Sequence, residues 1–169
     1  MQIDIDNFCQ VQLINFTEAS KDDLLYGLKM RNHPNVRRWM YTQEEIRQES
    51  HLDFVENLFN DARNQYLLVK QKEKIIGVIY FNQIDYENQE AAFGLYVNLF
   101  KPLKGGGRLL QELILLYAQD FLKLKTLYLE VMADNLRAIS LYNDYGFIET
   151  RRIQKFGSEV LIMTKSLSL

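Results

Sequence analysis

A chain of 169 residues, 47% of them hydrophobic and with ten Phe and ten Tyr, can bury one full core but lacks the length for a second. Its formal charge of −2, from 20 Lys and Arg against 22 Asp and Glu, supplies no field of the sort that nucleic-acid or polybasic membrane binders carry. We therefore expect one domain over residues 1–169, with neither a nucleic-acid nor a membrane partner.

No stretch of Gly, Pro or Ser reads as a linker, and no repeat or low-complexity run interrupts the chain. The opening MQIDIDNFCQ is acidic, without a basic segment ahead of an apolar one, and no apolar run nears bilayer-spanning length, so a cytoplasmic location is expected. Cys9 is the only cysteine, which excludes an internal disulfide, and it reads as a small buried residue. Two histidines and one cysteine far apart in sequence show no ligand spacing, so no metal is expected.

In chain order, QVQLINF (residues 10–16) reads as a first strand and the segment from Ser20 to Met30 as a helix capped by Ser20. The Pro34 ring disfavours helix at His33. Ile46, Leu52, Val55, Leu58 and Phe59 recur at helical spacing and predict a second helix from about Glu44 to Asn60. β-Branched and aromatic residues then dominate Tyr66 to Val69 and Lys74 to Ile84, with QKEK between them as a hairpin connection, and Glu90 to Val97 forms a further strand. The turn KPLKGGGR leads into Leu109, Leu110, Leu113, Ile114, Tyr117, Phe121 and Leu122, one apolar helical face, and then into the strand TLYLEVM. A short helix from Asn135 to Tyr145 is closed by Gly146, and Phe147 to Gln154 and Val160 to Lys165 are the last strands. The order is mixed α/β, with hairpins early and a strand, helix, strand crossover late.

Two segments carry chemistry. Lys104, Gly105, Gly106, Gly107 and Arg108 lie between a strand and an apolar helix, where glycines allow close backbone approach and free amides at a helix N-terminus suit a diphosphate. The segment is neither a Walker loop nor a dinucleotide fingerprint, since no Gly-Lys-Ser/Thr follows and Leu110 stands where a third small residue is needed; a plain flexible turn is the alternative. In NLRAISLYNDYGF, Asn135 and Tyr142 share one side of a short helix, about 10 Å apart along its axis, and could line one elongated ligand, though a core role for Tyr142 stays open.

Together these segments, about Ala92 to Phe147, resemble the GNAT acetyltransferase superfamily in order and spacing: strand, GxG turn, helix, strand, then Asn-x-x-Ala-x-x-Leu-Tyr-x-x-x-Gly-Phe. The resemblance implies an α+β fold with a central mixed, mostly antiparallel, splayed sheet of about seven strands flanked by about four helices. It implies acetyl-CoA as cosubstrate, its pyrophosphate on the backbone of Lys104 through Arg108 and its pantetheine arm between two splayed strands, Ala92 to Val97 (hence Leu95, Tyr96 and Val97) and Leu127 to Met132, beside Asn135. Pro102 stands where the loop usually opens with Gln or Arg. Acetyl transfer needs a neutral amine, a donor for the oxyanion and a proton for the departing thiolate; Tyr142 matches the family's general acid. The position that relatives often fill with a basic Glu is Ala92, so Glu130 on the next strand is the candidate base or amine holder, a structural ion pair being the other reading.

A narrower resemblance lies in MRNHPNVRRWMYT (residues 30–42) and SHLDFVENL, continuing through YLLV, IIGVIYF, FGLY and LEVMADN: it is similar to the acetyltransferases that modify UDP-linked 4-amino-4,6-dideoxy sugars in pseudaminic acid biosynthesis. That implies a nucleotide-sugar acceptor met by Arg31, Met40, Tyr41, His51 and Phe54, with Asn82, Gln83, Tyr96 and Glu130 nearer the sugar. Met40, Tyr41 and Phe54 have the flat, apolar character uracil needs, and Arg31 and His51 the donors a diphosphate needs; His51 on the helix surface is the plainer alternative. His33 is assigned no role. Acetylation of a protein N-terminus and an inactive CoA-binding module are the rival readings. The family commonly forms homodimers, to which the apolar VLIMTKSL could contribute, although one buried strand would give the same pattern.

Overall fold

The computed structural model describes residues 1–5 and 8–167, with side chains described for Met1 and from Gln10 onward. The reading of Cys9 as a buried side chain therefore lies outside the described residues. Eight strands form one sheet: β1 (Gln2–Ile5), β2 (Phe8–Asn15), β3 (Gln65–Gln71), β4 (Lys74–Asp85), β5 (Glu90–Val97), β6 (Thr126–Met132), β7 (Ile148–Lys155) and β8 (Ser158–Ser166), in the order β1-β2-β3-β4-β5-β6-β8-β7. The strand beyond the seven expected is β1, which adds to the edge by pairing antiparallel with β2. The helices are α1 (Lys21–Arg31), α2 (Pro34–Arg37), α3 (Gln48–Leu58), α4 (Gly106–Asp120) and α5 (Leu136–Asp144). None of the described helices is long and apolar enough to cross a membrane.

Local chemistry sets the boundaries. The Ser20 hydroxyl accepts from the Asp23 amide at the start of α1, and the one-turn α2, absent from the sequence reading, places Pro34 at its start where the missing N–H costs nothing. The helix expected from Glu44 begins only at Gln48. Asn32 is the reason: its side chain donates to Ile46 O and accepts from Ile46 N, both at 2.9 Å, holding residues 38–47 as a loop.

Period-two alternation divides the sheet between two cores. Leu67, Val69, Ile79 and Phe81 face the cluster under α4, whereas Leu68 and Val78 face the one under α1 and α3. Gly77 brings β4 against both β5 and α4: a Cβ there would lie 2.5 Å from Tyr96 O and 2.6 Å from a Leu110 methyl. The apolar strand β8 lies between β6 and β7 with Val160, Leu161 and Met163 buried, so core packing accounts for the pattern that the sequence offered to a dimer contact.

Among the described residues only β5 and β6 run parallel, and they pair through just three positions, Glu90 with Thr126, Ala91 with Leu127 and Ala92 with Tyr128. Beyond Ala92 each strand stays bound to its outer neighbour, β5 to β4 as far as Val97 and β6 to β8 as far as Met132. The two therefore part into a V, and the gap between them positions the site.

Candidate active site

A cleft of about 960 Å³ fills this V. Leu95, Tyr96 and Val97 form one wall from β5, and Glu130 and Met132 form the other from β6. Gly105, Gly106, Gly107 and Arg108 close one end, while Asn135 and Tyr142 enter from α5; Lys104 is not part of the described lining. Gly105 caps α4 at φ +79°, in the left-handed region, without a side-chain hydrogen bond. The first-turn amides are left pointing out of the helix, as an anion site requires. A Cβ on Gly105 would meet nothing within 4 Å, so the cradle is open, and conformation rather than space demands the glycine. Arg108 reaches back to Asp144 at 2.5 Å and ties α4 to α5.

Asn135 has two duties, lining the cleft and capping α5 through its side-chain oxygen on the Ala138 amide at 3.3 Å. Tyr142 is 8% exposed, edge-on to Phe93 and Phe147. Burial pushes its phenol up to about 12, so it keeps its proton at neutral pH. Both sequence readings of Tyr142 meet here: it packs into the core and opens onto the cleft. The open amides, the unpaired edge of β5 and a protonated donor at the cleft wall fit a long thioester cosubstrate with an anionic end.

The residues expected to meet an acceptor come from distant segments. Met40 lines the cleft and packs on the second core together with Tyr66 and Tyr80, which stack at 4.9 Å. Phe54 meets Tyr66 edge-on at 4.9 Å. Arg31 sits beside Tyr96, Tyr80 and Tyr66; burial lowers its pKa against their partial compensation. One guanidinium nitrogen donates to Thr42 O at 3.1 Å, while Nη1 is buried without a hydrogen-bond partner among the described residues. Asn82 lies close to Tyr66, and Gln83, at φ +55°, accepts from Tyr128 at 3.1 Å; both lie at the far end of β4.

Tyr41 extends from the 38–47 loop to donate its hydroxyl to Glu130, which also accepts from Lys155 at 2.7 Å. Burial raises the Glu130 carboxyl, but the hydrogen bonds from Lys155 and Tyr41 and the charges of Lys155 and Arg151 outweigh it and leave it below its usual range. The structural pair weighed in the sequence is thus present, on a carboxylate that still lines the cleft. His51 is not on the surface: it is 5% exposed in α3, and its Nε2 faces Leu24 O at 3.1 Å, so Nε2 carries the proton. His33 caps α2 by accepting from Asn35 N. Sequence reading missed Tyr66, Tyr80 and Lys155. The tyrosines are a register pair on β3 and β4, on the same face as Leu68 and Val78, which was readable once the hairpin was aligned, whereas nothing local marks Lys155. Among the described residues no group of three or more His, Cys, Asp or Glu gathers that could hold a metal.

Fold and site together define an acyltransferase built on a splayed sheet, and the chain belongs to the acetyltransferase (GNAT) family, whose model matches residues 30–147. It is an acetyl-CoA-dependent N-acetyltransferase. The chain is 41% identical over 138 residues to Acetyltransferase PseH of Campylobacter jejuni, covering 81% of this chain and 84% of the relative. The crystal structure of Campylobacter jejuni N-acetyltransferase PseH in complex with acetyl coenzyme A superposes with a TM-score of 0.76 at 30% identity, over 94% of this chain and 99% of that one. A spermidine N-acetyltransferase from Vibrio cholerae, in complex with CoA and spermine, reaches 0.84 at 21% identity over 93% and 95% of the two chains, a likeness of fold.

Proposed function

We propose that this enzyme acetylates the 4-amino group of a UDP-4-amino-4,6-dideoxy-N-acetyl hexosamine, the β-L-altrosamine form, in pseudaminic acid biosynthesis. The observation that carries the reading is the acceptor region itself. A stacked pair of tyrosines with Phe54 and Met40 supplies flat apolar surface for a base, beside a buried Arg31 nitrogen with no hydrogen-bond partner of its own among the described residues. The 41% identity to Acetyltransferase PseH supports it further.

In this proposal the amides of residues 104–108 hold the coenzyme's diphosphate, and Leu95, Tyr96, Val97 and Asn135 hold its arm. The coenzyme supplies an activated acetyl thioester. Glu130, ionised at neutral pH, holds the acceptor's amine and draws off its proton; Tyr142, still protonated, gives a hydrogen to the departing sulfur. Arg31 meets the nucleotide diphosphate, and Tyr41, Phe54, Asn82 and Gln83 border the acceptor. His51 is assigned a supporting place: it holds α3 to α1 by its bond to Leu24, and α3 carries Phe54. The same proposal includes a cytoplasmic homodimer, which cell fractionation and sedimentation of purified protein test.

The deciding experiment offers acetyl-CoA with the UDP-4-amino-4,6-dideoxy sugar, spermidine or a ribosomal N-terminal peptide, and follows thiol release. Turnover with the sugar nucleotide at least about tenfold above the others in kcat/KM is expected. Reaction with the peptide alone would replace the acceptor, leaving the acetyltransferase assignment intact.

A further inference from the structure

Beside the cleft a lysine ammonium is held between a carboxylate and an aromatic ring. Lys155 Nζ donates to Glu130 Oε2 at 2.7 Å and stands 4.3 Å from the centre of the Tyr41 ring, whose hydroxyl donates to the same oxygen. A carboxylate and an aromatic face are the two partners that select a compact cation over a neutral group. Lys155 is fixed there by a two-residue turn, Phe156 at φ +50° and Gly157 at φ +78°, closing β7 onto Ser158 of β8. Phe156 packs its ring 5.2 Å from that of Tyr41 and joins the hairpin tip to the 38–47 loop.

The pair is nevertheless poised to exchange. The side chains of Lys155 and Glu130 are 37% and 31% exposed, and ion pairs this open to water are weak and screened by salt. A second ammonium brought in by the rest of a bound acceptor can take the place of the first.

The geometry points to Lys155 as a positioning residue that occupies the ammonium place on Glu130 and Tyr41 in the free enzyme and yields it to the acceptor's protonated amine. This rests on the reading that Glu130 faces that amine. The exchange makes and breaks no covalent bond. Its consequence is electrostatic: the displaced Lys155, still on its short turn, leaves two cations before one carboxylate, and a neighbouring like charge favours loss of the amine's proton. Glu130 is faced by Tyr41 from the loop, by Lys155 and Arg151 from β7, and by Tyr128 from its own strand, so a substitution at Lys155 leaves the other three groups in place.

The test compares the parent with Lys155→Met, Lys155→Arg and Glu130→Gln, using acetyl-CoA and whichever of the sugar nucleotide, spermidine or the ribosomal peptide the parent acetylates. Loss of the sugar assignment thus leaves this experiment standing. For Lys155→Met the acceptor KM falls severalfold because the internal competitor is gone. Its kcat at pH 7 falls severalfold and recovers toward pH 9, where the amine sheds its proton unaided, and KM for acetyl-CoA does not move. Lys155→Arg keeps the parent's behaviour. In the free protein, ¹³C NMR of the Glu130 carboxyl shows its midpoint raised by Lys155→Met. A higher acceptor KM, or a kcat profile that keeps its position, overturns the proposal. If Glu130→Gln is slow while Lys155→Met matches the parent, Lys155 loses its role and Glu130 keeps its own; if Glu130→Gln is as fast as the parent, both fall.

Discussion

On the proposed donor side of the cleft the working groups are main-chain amides, glycines, Asn135 and one phenol, drawn from two short stretches, Leu95 to Arg108 and Val131 to Tyr142. On the acceptor side they are side chains from α1, the 38–47 loop, α3, β3, β4 and the end of β7, brought together only by the completed sheet. A backbone site depends on conformation and tolerates change at the surrounding side chains; a side-chain site depends on each neighbour holding the next. Substitutions in the two regions should therefore fail differently. Donor-side changes move acetyl-CoA affinity or the chemical step, and acceptor-side changes move acceptor KM.

The largest effect expected is on chemistry. Tyr142→Phe keeps the ring between Phe93 and Phe147 and removes only the hydroxyl proposed to protonate the departing sulfur, so kcat should drop about a hundredfold or more with acetyl-CoA KM little changed. Equal rates would leave Tyr142 as a packing residue alone. Next is Gly94→Ala. Gly94 pairs with Tyr80 across β4 and β5, and a Cβ would lie 2.2 Å from the Tyr80 hydroxyl, so the phenol must leave its place and its stack on Tyr66. Acceptor KM should rise about tenfold, the equivalent of roughly 1.4 kcal/mol, while acetyl-CoA KM stays; a rise in the latter instead would erase the boundary drawn between the two sides. Gly105→Ala is smaller, costing about 1 kcal/mol for a side chain at positive φ, and it appears as a severalfold rise in acetyl-CoA KM because the space around Gly105 is open.

The same contrast explains what could be read in the sequence. The donor side was legible because its residues are close in the chain: a glycine turn before an apolar helix, and Asn135 and Tyr142 seven apart, define geometry by spacing alone. Helix limits at Ser20 and Asn135 were legible for the same reason, each being set by a cap three residues from the amide it satisfies. The start of α3 was not, since Asn32 takes both hydrogen-bonding groups of Ile46 across fourteen residues and overrides local periodicity. Lys155 was illegible in principle. Its partner Glu130 is twenty-five residues away on another strand, and only the order β6-β8-β7 with the turn at Phe156 sets them in contact.

The smallest effect, and the one that separates support from contact, belongs to His51. Burial lowers its pKa, partly offset by the hydrogen bond to Leu24 O, so the folded protein favours the neutral ring. The unfolded chain, with an ordinary value near 6.5, takes up a proton first as pH falls. The stability His51 contributes is therefore complete above about pH 6.5 and lost as pH falls from there through the lower value of the folded state. Urea midpoints at pH 7.5 and 5.5 should drop less in His51→Gln, whose amide can still donate to Leu24 O, than in the parent. The shared carboxylates cancel in that difference. If the two proteins lose stability in parallel, the ring is protonated in the native state and is available to an anionic acceptor after all; if they diverge, its place is in holding α3, and Phe54 with it, against α1.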